Sequence, residues 1–310
     1  MKVKFLNWWD SGRECFFSNF CKHHFGAEVT AGDDADILFI SVFGKKEYAI
    51  NYVKSNPHIK CKIFFTGENT ESPGHLAYND YLFKDIDLAL GFKKQEAVNN
   101  PKYLEFPLWL FYFNLSPQQI FSHRPECCLD KLDLNRSAVP VKFCALINST
   151  DQLGNRVSFL KELNEYKKCD VCALGGKLWE HRTILEKIPA SSKIKFLQDY
   201  KFNICFENSK SAGGYNTEKL PEALLAKTIP LYWGDPIDER IFNAQRLIYI
   251  KEPRRPDKET LSLIKELDQD PSAYLEFVNQ DCLSPSALKI INGIHDTLLI
   301  KMKKLLNANL

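Results

Sequence analysis

One stretch in the second half of the chain combines small residues and charges in a pattern suited to binding a phosphate. Gly213 and Gly214 follow an apolar run, and they allow backbone N–H groups to approach a ligand closely. Glu218 and Lys219 then introduce charge near the predicted start of a helix, where the peptide dipoles favour anions. The pattern predicts a site for the phosphates of a nucleotide.

A polar loop at residues 66–75 carries groups that can move protons. Glu68, Glu71 and His75 lie within eight residues, soon after an apolar run that we predict to be a strand. A carboxylate or imidazole placed there can take a proton from a hydroxyl group, a role typically worth about 10²–10⁴-fold in rate. The alternative is an ordinary solvated turn, because most loops are polar.

Arg156 is predicted to head a helix, because Val157, Leu160 and Leu163 follow it at helical spacing. The helix dipole disfavours a cation at this end unless an anion joins it. The misfit indicates a phosphate partner for the guanidinium group. A surface arginine without a partner is the alternative.

These groups follow apolar runs that have the character of strands buried on both faces. Segments of helix length separate the runs, of which the clearest are 36–41, 62–65, 88–90, 141–147 and 204–206. Such alternation predicts α/β domains with parallel sheets, whose ligands bind beyond the carboxyl ends of the strands.

Two sets of this alternation occur in tandem. We predict an N-terminal domain at residues 1–138 and a C-terminal domain at 139–275, with functional loops facing one another across a cleft. Residues 104–113 are predicted to be the last helix of the first domain, and 246–250 a further strand of the second. The remaining segment, 276–310, has the pattern of a basic amphipathic helix that either packs on the first domain or rests on anionic lipid.

Composition excludes several classes of protein. The chain has 310 residues, of which 45% are hydrophobic, so it can bury a large core and is not disordered. Its 41 basic and 39 acidic side chains leave a net charge of +2, which gives no overall field that would attract nucleic acid. The ten cysteines are expected to be buried, reduced thiols, because the one C-x-x-C, Cys169 to Cys172, lacks a second pair of zinc ligands.

The first ten residues are interrupted by polar side chains too early for a secretory signal. No apolar run is long enough to span a bilayer. We therefore expect a cytoplasmic protein, with peripheral contact to the inner membrane as an alternative.

The segments around the predicted phosphate site resemble the signature of a known family. YKFNICFENS at 200–209, YNTEK at 215–219 and TIPLYWG at 228–234 are similar to motifs of the α1,3/4-fucosyltransferases, especially the bacterial enzymes that modify lipopolysaccharide. Supporting matches are NWW at 7–9 and FTGEN at 65–69.

The resemblance implies the GT-B fold, with two Rossmann-like domains and the donor GDP-fucose held mainly by the second. It implies transfer of fucose, with inversion at the anomeric carbon, to a hydroxyl of a galactosyl-N-acetylglucosamine glycan of the N-acetyllactosamine type. The product would be a Lewis-type structure with an α1,3 or α1,4 linkage. No cofactor is implied, and a divalent metal is at most stimulatory.

The resemblance also assigns donor binding to five residues. Arg156 and Lys219 would hold the diphosphate, and Glu218 would form hydrogen bonds to the ribose hydroxyls. Tyr215 and Asn208 would contact the donor.

The general base would be Glu68, or Glu71 if the loop is matched to that of the animal enzymes. Asp85 and Asp87 form the one D-x-D pair, and we expect no metal site there because oxygen sites need more ligands than two. Two other functions stay open: a transferase of the same fold that uses another nucleotide sugar, and a non-catalytic glycan-binding protein. The predicted anion site argues against the second, since a lectin needs no diphosphate clamp.

Overall fold

The computed structural model describes residues 1–10, 12–132, 135–149, 151–173, 176–211 and 213–308. Their contacts group the chain into two units. Unit 1 is Met1–Leu129, Ser211–Thr217 and Ala287–Leu310, and unit 2 is Asp130–Lys210 and Glu218–Ser286. The predicted domains follow the same order along the chain but did not include the return to unit 1 at 211–217. Residues 309 and 310 of the predicted C-terminal segment lie outside the described residues.

Unit 1 is built on a six-stranded parallel sheet with the order β2-β1-β3-β4-β5-β6. The predicted run at 36–41 forms a central strand whose residues Ile37–Ile40 are all fully buried, as expected when helices cover both faces. The strands are β1 Lys2–Leu6, β2 Glu28–Val29, β3 Ile37–Ile40, β4 Cys61–Phe65, β5 Leu88–Gly91 and β6 Tyr103–Glu105. The helices are α1 Phe16–Phe25, α2 Lys46–Ser55, α3 Gln95–Val98, α4 Leu108–Tyr112 and, from the C-terminal segment, α10 Ala287–Asn307.

The predicted single helix at residues 104–113 is wrong, because this apolar run is divided between two elements. Its first part belongs to β6, which pairs with β5, and its second part is the short helix α4. Pro107 stands between them as the residue before the helix. Proline lacks an N–H group and forces the preceding residue away from helical backbone, so a single helix cannot cross this position.

Helix α10 packs on unit 1 by one face. Its buried residues recur every three or four positions, which is the period of a helix surface: Ile291, His295, Leu298 and Met302. The ring of His295 lies 5.2 Å from that of Phe16. The apolar face is therefore buried within unit 1. Across the described residues, no helix combines the length and apolar character needed to cross a membrane.

Unit 2 is built on a five-stranded parallel sheet with the order β11-β10-β9-β7-β8. The predicted buried strands at its centre are confirmed, since every residue of β10 is buried and one residue of β9 is only partly so. The strands are β7 Lys142–Asn148, β8 Asp170–Ala173, β9 Tyr200–Phe206, β10 Ile229–Trp233 and β11 Ile248–Tyr249. The helices are α5 Asn155–Tyr166, α6 Lys193–Leu197, α7 Lys219–Leu225, α8 Lys258–Gln269 and α9 Pro271–Val278.

Two details of unit 2 differ from the predictions. The strand expected at 246–250 is limited to β11, because Ala244–Arg246 forms a 3₁₀ turn. Strand β8 was not predicted, and it contains Cys172 of the C-x-x-C motif, with Cys169 directly before it. Both thiols are buried. All ten cysteines fall within the described residues, are buried and form no disulfide with one another, which confirms the expectation of buried thiols.

Candidate active site

The strand order of unit 2 reverses between β7 and β9. The chain passes from β7 to β8 on one side, and then returns to β9 on the other side. In open parallel sheets, ligands bind outside the carboxyl ends of the strands at such a reversal, called the topological switch point. The predicted donor residues can therefore be judged by their distance from these two strand ends.

Arg156 lies at this switch point. It occupies the first turn of α5, after the loop that leaves β7, and it is 3% exposed. Its Nη2 atom donates hydrogen bonds to the carbonyl oxygen of Phe206 at 2.5 Å and to Asn208 Oδ1 at 3.0 Å. The structure thus joins two predicted donor residues, Arg156 and Asn208, at the end of β9. The alternative of a surface arginine is wrong, because the guanidinium group is buried and bonded.

The start of α5 has an acceptor that sequence reasoning missed. The carboxylate of Asp151 accepts hydrogen bonds from the backbone N–H groups of Arg156 at 3.2 Å and Val157 at 2.9 Å. An acidic side chain at this position stabilises the N-terminus of a helix and offsets the dipole that disfavours Arg156. The predicted misfit of the arginine is therefore partly resolved within the protein.

Lys219 begins α7, as predicted, and Pro221 lies in the first turn, where proline is tolerated. The Nζ atom of Lys219 is 3.1 Å from Glu207 Oε2 and 3.8 Å from Glu218 Oε1. Burial alone lowers the pKa of Lys219, but attraction by Glu207 and Glu218 outweighs this effect and raises the pKa. The amine is therefore charged at neutral pH.

Two further charged residues near this cluster were not predicted. Lys193 Nζ lies 2.5 Å from the buried Glu222 Oε2. Burial lowers the pKa of Lys193, but Glu222 and then Glu218 raise it, and the net direction is upward. Glu218 therefore stands in the field of two lysines, Lys193 and Lys219.

A third lysine stands at the edge of the sheet where β9, β10 and β11 end. Lys210 follows β9, and its Nζ lies 5.2 Å from the ring centroid of Trp233, at the end of β10. It also lies 5.7 Å from the ring of Tyr249, at the end of β11. Contact with aromatic faces holds a cation in place at a modest gain of about 0.5–1 kcal/mol when exposed.

In unit 1, Glu68 follows the end of β4 and is fixed by its own loop. Thr66 Oγ1 donates to the carbonyl oxygen of Glu68 at 2.8 Å and accepts from its N–H at 3.1 Å. Tyr215 Oη donates to Glu68 Oε2 at 3.4 Å. The ring of Tyr215 packs against Phe92, with centroids 5.3 Å apart. The structure thus joins the predicted base with a predicted donor residue.

The other two groups of the polar loop have different neighbours. Glu71 is exposed and forms an ion pair with Lys93, whose Nζ lies 2.6 Å from Oε1. The ring of His75 packs against Phe43, with centroids 6.0 Å apart. Glu68, Glu71 and His75 therefore do not share one environment, and the two carboxylates differ in the charge beside them.

Gly214 allows a close contact within unit 1. Its φ angle is +94°, and a Cβ atom at this position would lie 2.6 Å from the carbonyl oxygen of Phe92. Gly213 also has a positive φ, of +138°. Gly214 therefore lets the loop pack against Phe92 next to Tyr215, and the predicted approach of these glycines to a ligand stays a prediction.

The described residues contain no group of three or more His, Cys, Asp and Glu side chains placed to hold a metal ion. One member of the D-x-D pair, Asp87, contacts the sheet. Asp87 Oδ2 accepts a hydrogen bond from the backbone N–H of Lys62 at 2.8 Å.

Comparisons with known proteins agree with this division into two units. The model for the alpha-(1,3)-fucosyltransferase FucT N-terminal domain matches residues 3–112. The model for the C-terminal part of glycosyltransferase family 10 (fucosyltransferase) matches residues 138–281. Together the two models cover most of the chain.

Individual relatives share about a quarter of their aligned residues with this chain. An alpha-(1,3)-fucosyltransferase FucT of Helicobacter pylori is 26% identical over 92% of this chain, which spans 60% of that protein's length. A GDP-fucose protein O-fucosyltransferase 3 of Danio rerio is 25% identical over 72% of this chain, which spans 52% of that protein.

The fold itself has a solved counterpart. A crystal structure of an alpha1,3-fucosyltransferase with GDP-fucose aligns with a TM-score of 0.62 and 23% identity, covering 96% of this chain and 90% of that one. With two parallel-sheet α/β units, this likeness confirms the predicted GT-B fold.

Proposed function

The chain belongs to the fucosyltransferase family of glycosyltransferases, and from this we propose that it transfers fucose from GDP-fucose to an acceptor hydroxyl. The observation that carries the proposal is the pairing of Arg156 with Asn208 at the switch point of unit 2. Both belong to motifs that resemble the family's donor site, and they meet where parallel sheets bind nucleotides.

In the proposed donor site, Arg156 and Lys219 hold the diphosphate of GDP-fucose. Negative charge accumulates on GDP as it leaves the sugar, and fixed cations that meet this charge lower the barrier. Lys219 suits the role because its raised pKa keeps it charged. We propose that these cations take the place of an obligatory metal, while Glu218 binds the ribose hydroxyls and Asn208 and Tyr215 contact the donor.

Glu68 is the proposed general base, and it would take the proton of the acceptor hydroxyl as that oxygen attacks the anomeric carbon. Attack from the face opposite GDP gives inversion. The environments of the two candidates favour Glu68 over Glu71. Glu71 is committed to an ion pair with Lys93, which weakens a carboxylate as a base. The side-chain contact to Glu68 comes from the neutral hydroxyl of Tyr215.

For the acceptor we propose a glycan of the N-acetyllactosamine type, fucosylated in α1,3 or α1,4 linkage. The relatives differ on this point, since one is named an alpha-(1,3)-fucosyltransferase and the other a protein O-fucosyltransferase. Peripheral contact with a membrane stays a prediction. If it occurs through α10, it would use exposed lysines such as Lys303 and Lys304, since the buried face of the helix is occupied.

The test is a transfer assay with GDP-fucose and N-acetyllactosamine, in which products are identified by mass spectrometry and released GDP is measured. We expect a fucosylated trisaccharide and an equal amount of GDP. GDP-mannose and UDP-galactose serve as control donors. Transfer from either control at a higher rate than from GDP-fucose would contradict the proposed donor, and absence of transfer from all three would contradict the proposed activity.

A further inference from the structure

Unit 1 has its own topological switch point, between β1 and β3. The chain leaves β1 for β2 on one side and returns to β3 on the other side. Leu6 and Ile40, the last residues of the two strands, are direct partners in the sheet. Trp9 and Phe43 each follow three residues later, so they leave the sheet side by side at the position where such sheets bind ligands.

The two rings lie next to each other and meet edge to face, and we call this pair the aromatic platform. The centroids of Trp9 and Phe43 are 5.5 Å apart, with the planes at 78°. Phe43 is 44% exposed, and Trp9 is partly exposed. An exposed phenylalanine at the carboxyl end of a central strand forgoes hydrophobic stabilisation unless something covers it.

The platform is supported from behind. Trp8, which is 9% exposed, stacks on Trp9 at 4.6 Å between centroids. Phe111, which is fully buried, meets Trp9 edge to face at 4.9 Å. Trp9 therefore cannot turn inward to hide its outer surface, because the core behind it is filled.

The backbone that carries the platform is also fixed. Asn7 adopts a left-handed conformation with φ of 52°, and its carbonyl accepts the N–H of Phe43 at 3.0 Å. Its side-chain amide donates to Lys45 O at 3.1 Å and to Tyr78 Oη at 3.0 Å. Asparagine tolerates this conformation better than most residues do, and such strain persists only where surrounding contacts impose it. Asn7 thus ties the loops after β1 and β3 together.

The platform borders the loop of the proposed base. Strand β4 lies next to β3, with Ile40 paired to Phe64, so the loop that carries Glu68 leaves the same edge one strand away. His75, from that loop, contacts the ring of Phe43 at 6.0 Å. A ligand lying on the platform would therefore have one side toward the loop of Glu68.

We propose that the aromatic platform is the acceptor subsite, and that a pyranose ring stacks on it by its apolar C–H face. A pyranose such as β-galactose has one face of C–H groups and a rim of hydroxyls. The face suits the negative face of an aromatic ring, and the rim leaves a hydroxyl free to meet a base. A serine or threonine side chain of a protein acceptor offers no such face. The inference rests on the proposed function, and it assigns the residues that would hold a sugar of the acceptor.

The test compares Phe43→Ala with Tyr48→Ala, which removes a second exposed aromatic ring, in the first turn of α2. Acceptor KM is measured with N-acetyllactosamine, and donor KM and GDP-fucose hydrolysis are measured without acceptor. We expect Phe43→Ala to raise acceptor KM about tenfold, corresponding to about 1.4 kcal/mol, and to leave both donor measurements unchanged. Phe43→Trp should have the acceptor KM of the wild type, because it keeps an aromatic ring at this position. Tyr48→Ala should also have the acceptor KM of the wild type.

A direct binding measurement distinguishes failure of this inference from failure of the proposed function. Saturation-transfer NMR detects N-acetyllactosamine on the protein without any donor, and the signal should be lost in Phe43→Ala. An unchanged acceptor KM and unchanged signal in Phe43→Ala would overturn the subsite while leaving transfer intact. Disaccharide binding that depends on Phe43, in a protein that does not turn over GDP-fucose, would support the subsite and overturn the proposed function.

Discussion

The two parallel sheets place different side chains at the points where their strand orders reverse. In unit 2 the reversal carries buried charge, with Arg156 bonded to Asn208 and Lys219 to Glu207. In unit 1 it carries aromatic rings, with Trp9 beside Phe43. Parallel sheets offer a binding position at this edge whatever their sequence, so the residues that follow the strands decide which ligand is bound.

The difference suits the two substrates of the proposed reaction. A nucleotide diphosphate is an anion, and buried cations compensate for the solvation that it loses on binding. A glycan acceptor is neutral and offers C–H groups and hydroxyls, which rings and a single carboxylate can meet. The predictions below test the comparison, beginning with the largest expected effect.

Glu68→Gln should lower kcat for fucosyl transfer by about 10²–10⁴-fold, because the amide cannot accept the acceptor proton. Glu71→Gln is the matched control and should stay within about threefold of wild type, since the ion pair that it removes is exposed. Steady-state kinetics with GDP-fucose and N-acetyllactosamine gives both values. A large loss in Glu71→Gln with an active Glu68→Gln would move the base to Glu71.

Lys219→Ala should weaken GDP binding by about 10- to 150-fold, which corresponds to about 1.5–3 kcal/mol for a charged hydrogen bond. Isothermal titration with GDP gives the value, and Lys258→Ala, at an exposed lysine of α8, is the control. Removing Lys219 also leaves the buried carboxylate of Glu207 without this cation, which affects the stability of the fold. The double variant Lys219→Ala with Glu207→Gln removes both charges, so it separates the loss of GDP affinity from a loss of stability. If the double variant bound GDP like the wild type, Lys219 would not be part of the diphosphate site.

As the pH falls, unit 1 should lose stability at a higher pH than unit 2. His295 is buried, and neither ring nitrogen has a hydrogen-bond partner among the described residues. Burial, and then repulsion by His24, lowers its pKa from 6.5 to about 4. Because the folded state favours the neutral ring, its contribution to stability is complete above pH 6.5 and is lost as the pH falls toward 4.

The wild type should therefore lose about 2 kcal/mol of unfolding free energy between pH 7 and pH 5 through this residue. His295→Phe should not show this loss, whereas the exposed control His58→Asn should retain it. Urea unfolding at the two pH values measures the difference. An equal loss of unfolding free energy in His295→Phe would contradict the assignment of this loss to His295.

In unit 2, burial raises the pKa of Asp268, but hydrogen bonds from Lys201 and Lys167 lower it below 3.8. This carboxylate is therefore protonated only at a lower pH.

The smallest effect is expected at Lys210. Lys210→Ala should raise the KM for GDP-fucose about threefold at low salt, because an exposed cation held over two rings adds modest attraction for an anion. The difference should shrink in 0.5 M salt, where exposed charges are screened. A difference that does not change with salt would mean that Lys210 acts by packing rather than by charge.

The sequence was sufficient to predict features that depend on local pattern. Strands β9 and β10 were recognisable because their residues are apolar on both faces, and the start of α7 was limited by Pro221. Arg156 was recognisable as a helix-heading cation. Each of these predictions uses neighbours along the chain.

Several features were missed. Glu207 looks like an ordinary loop carboxylate in the sequence, and the fold brings it to Lys219, whereas Asp151 lies five residues before Arg156 and could have been recognised as a local acceptor at the start of α5. The role of Gly214 depends on a carbonyl more than a hundred residues earlier in the chain. The apolar run at 104–113 was misread because its composition does not distinguish a strand from a helix, although Pro107 was a signal that could have divided it.

The most direct test of the two-site account is one titration experiment with two ligands and two variants. GDP and N-acetyllactosamine are each titrated into Lys219→Ala and Phe43→Ala, and the heats give four affinities. The account predicts that Lys219→Ala loses affinity for GDP alone and that Phe43→Ala loses affinity for the disaccharide alone. Loss of both ligands in either variant, with its melting temperature unchanged, would contradict the separation of a charged donor site from an aromatic acceptor site.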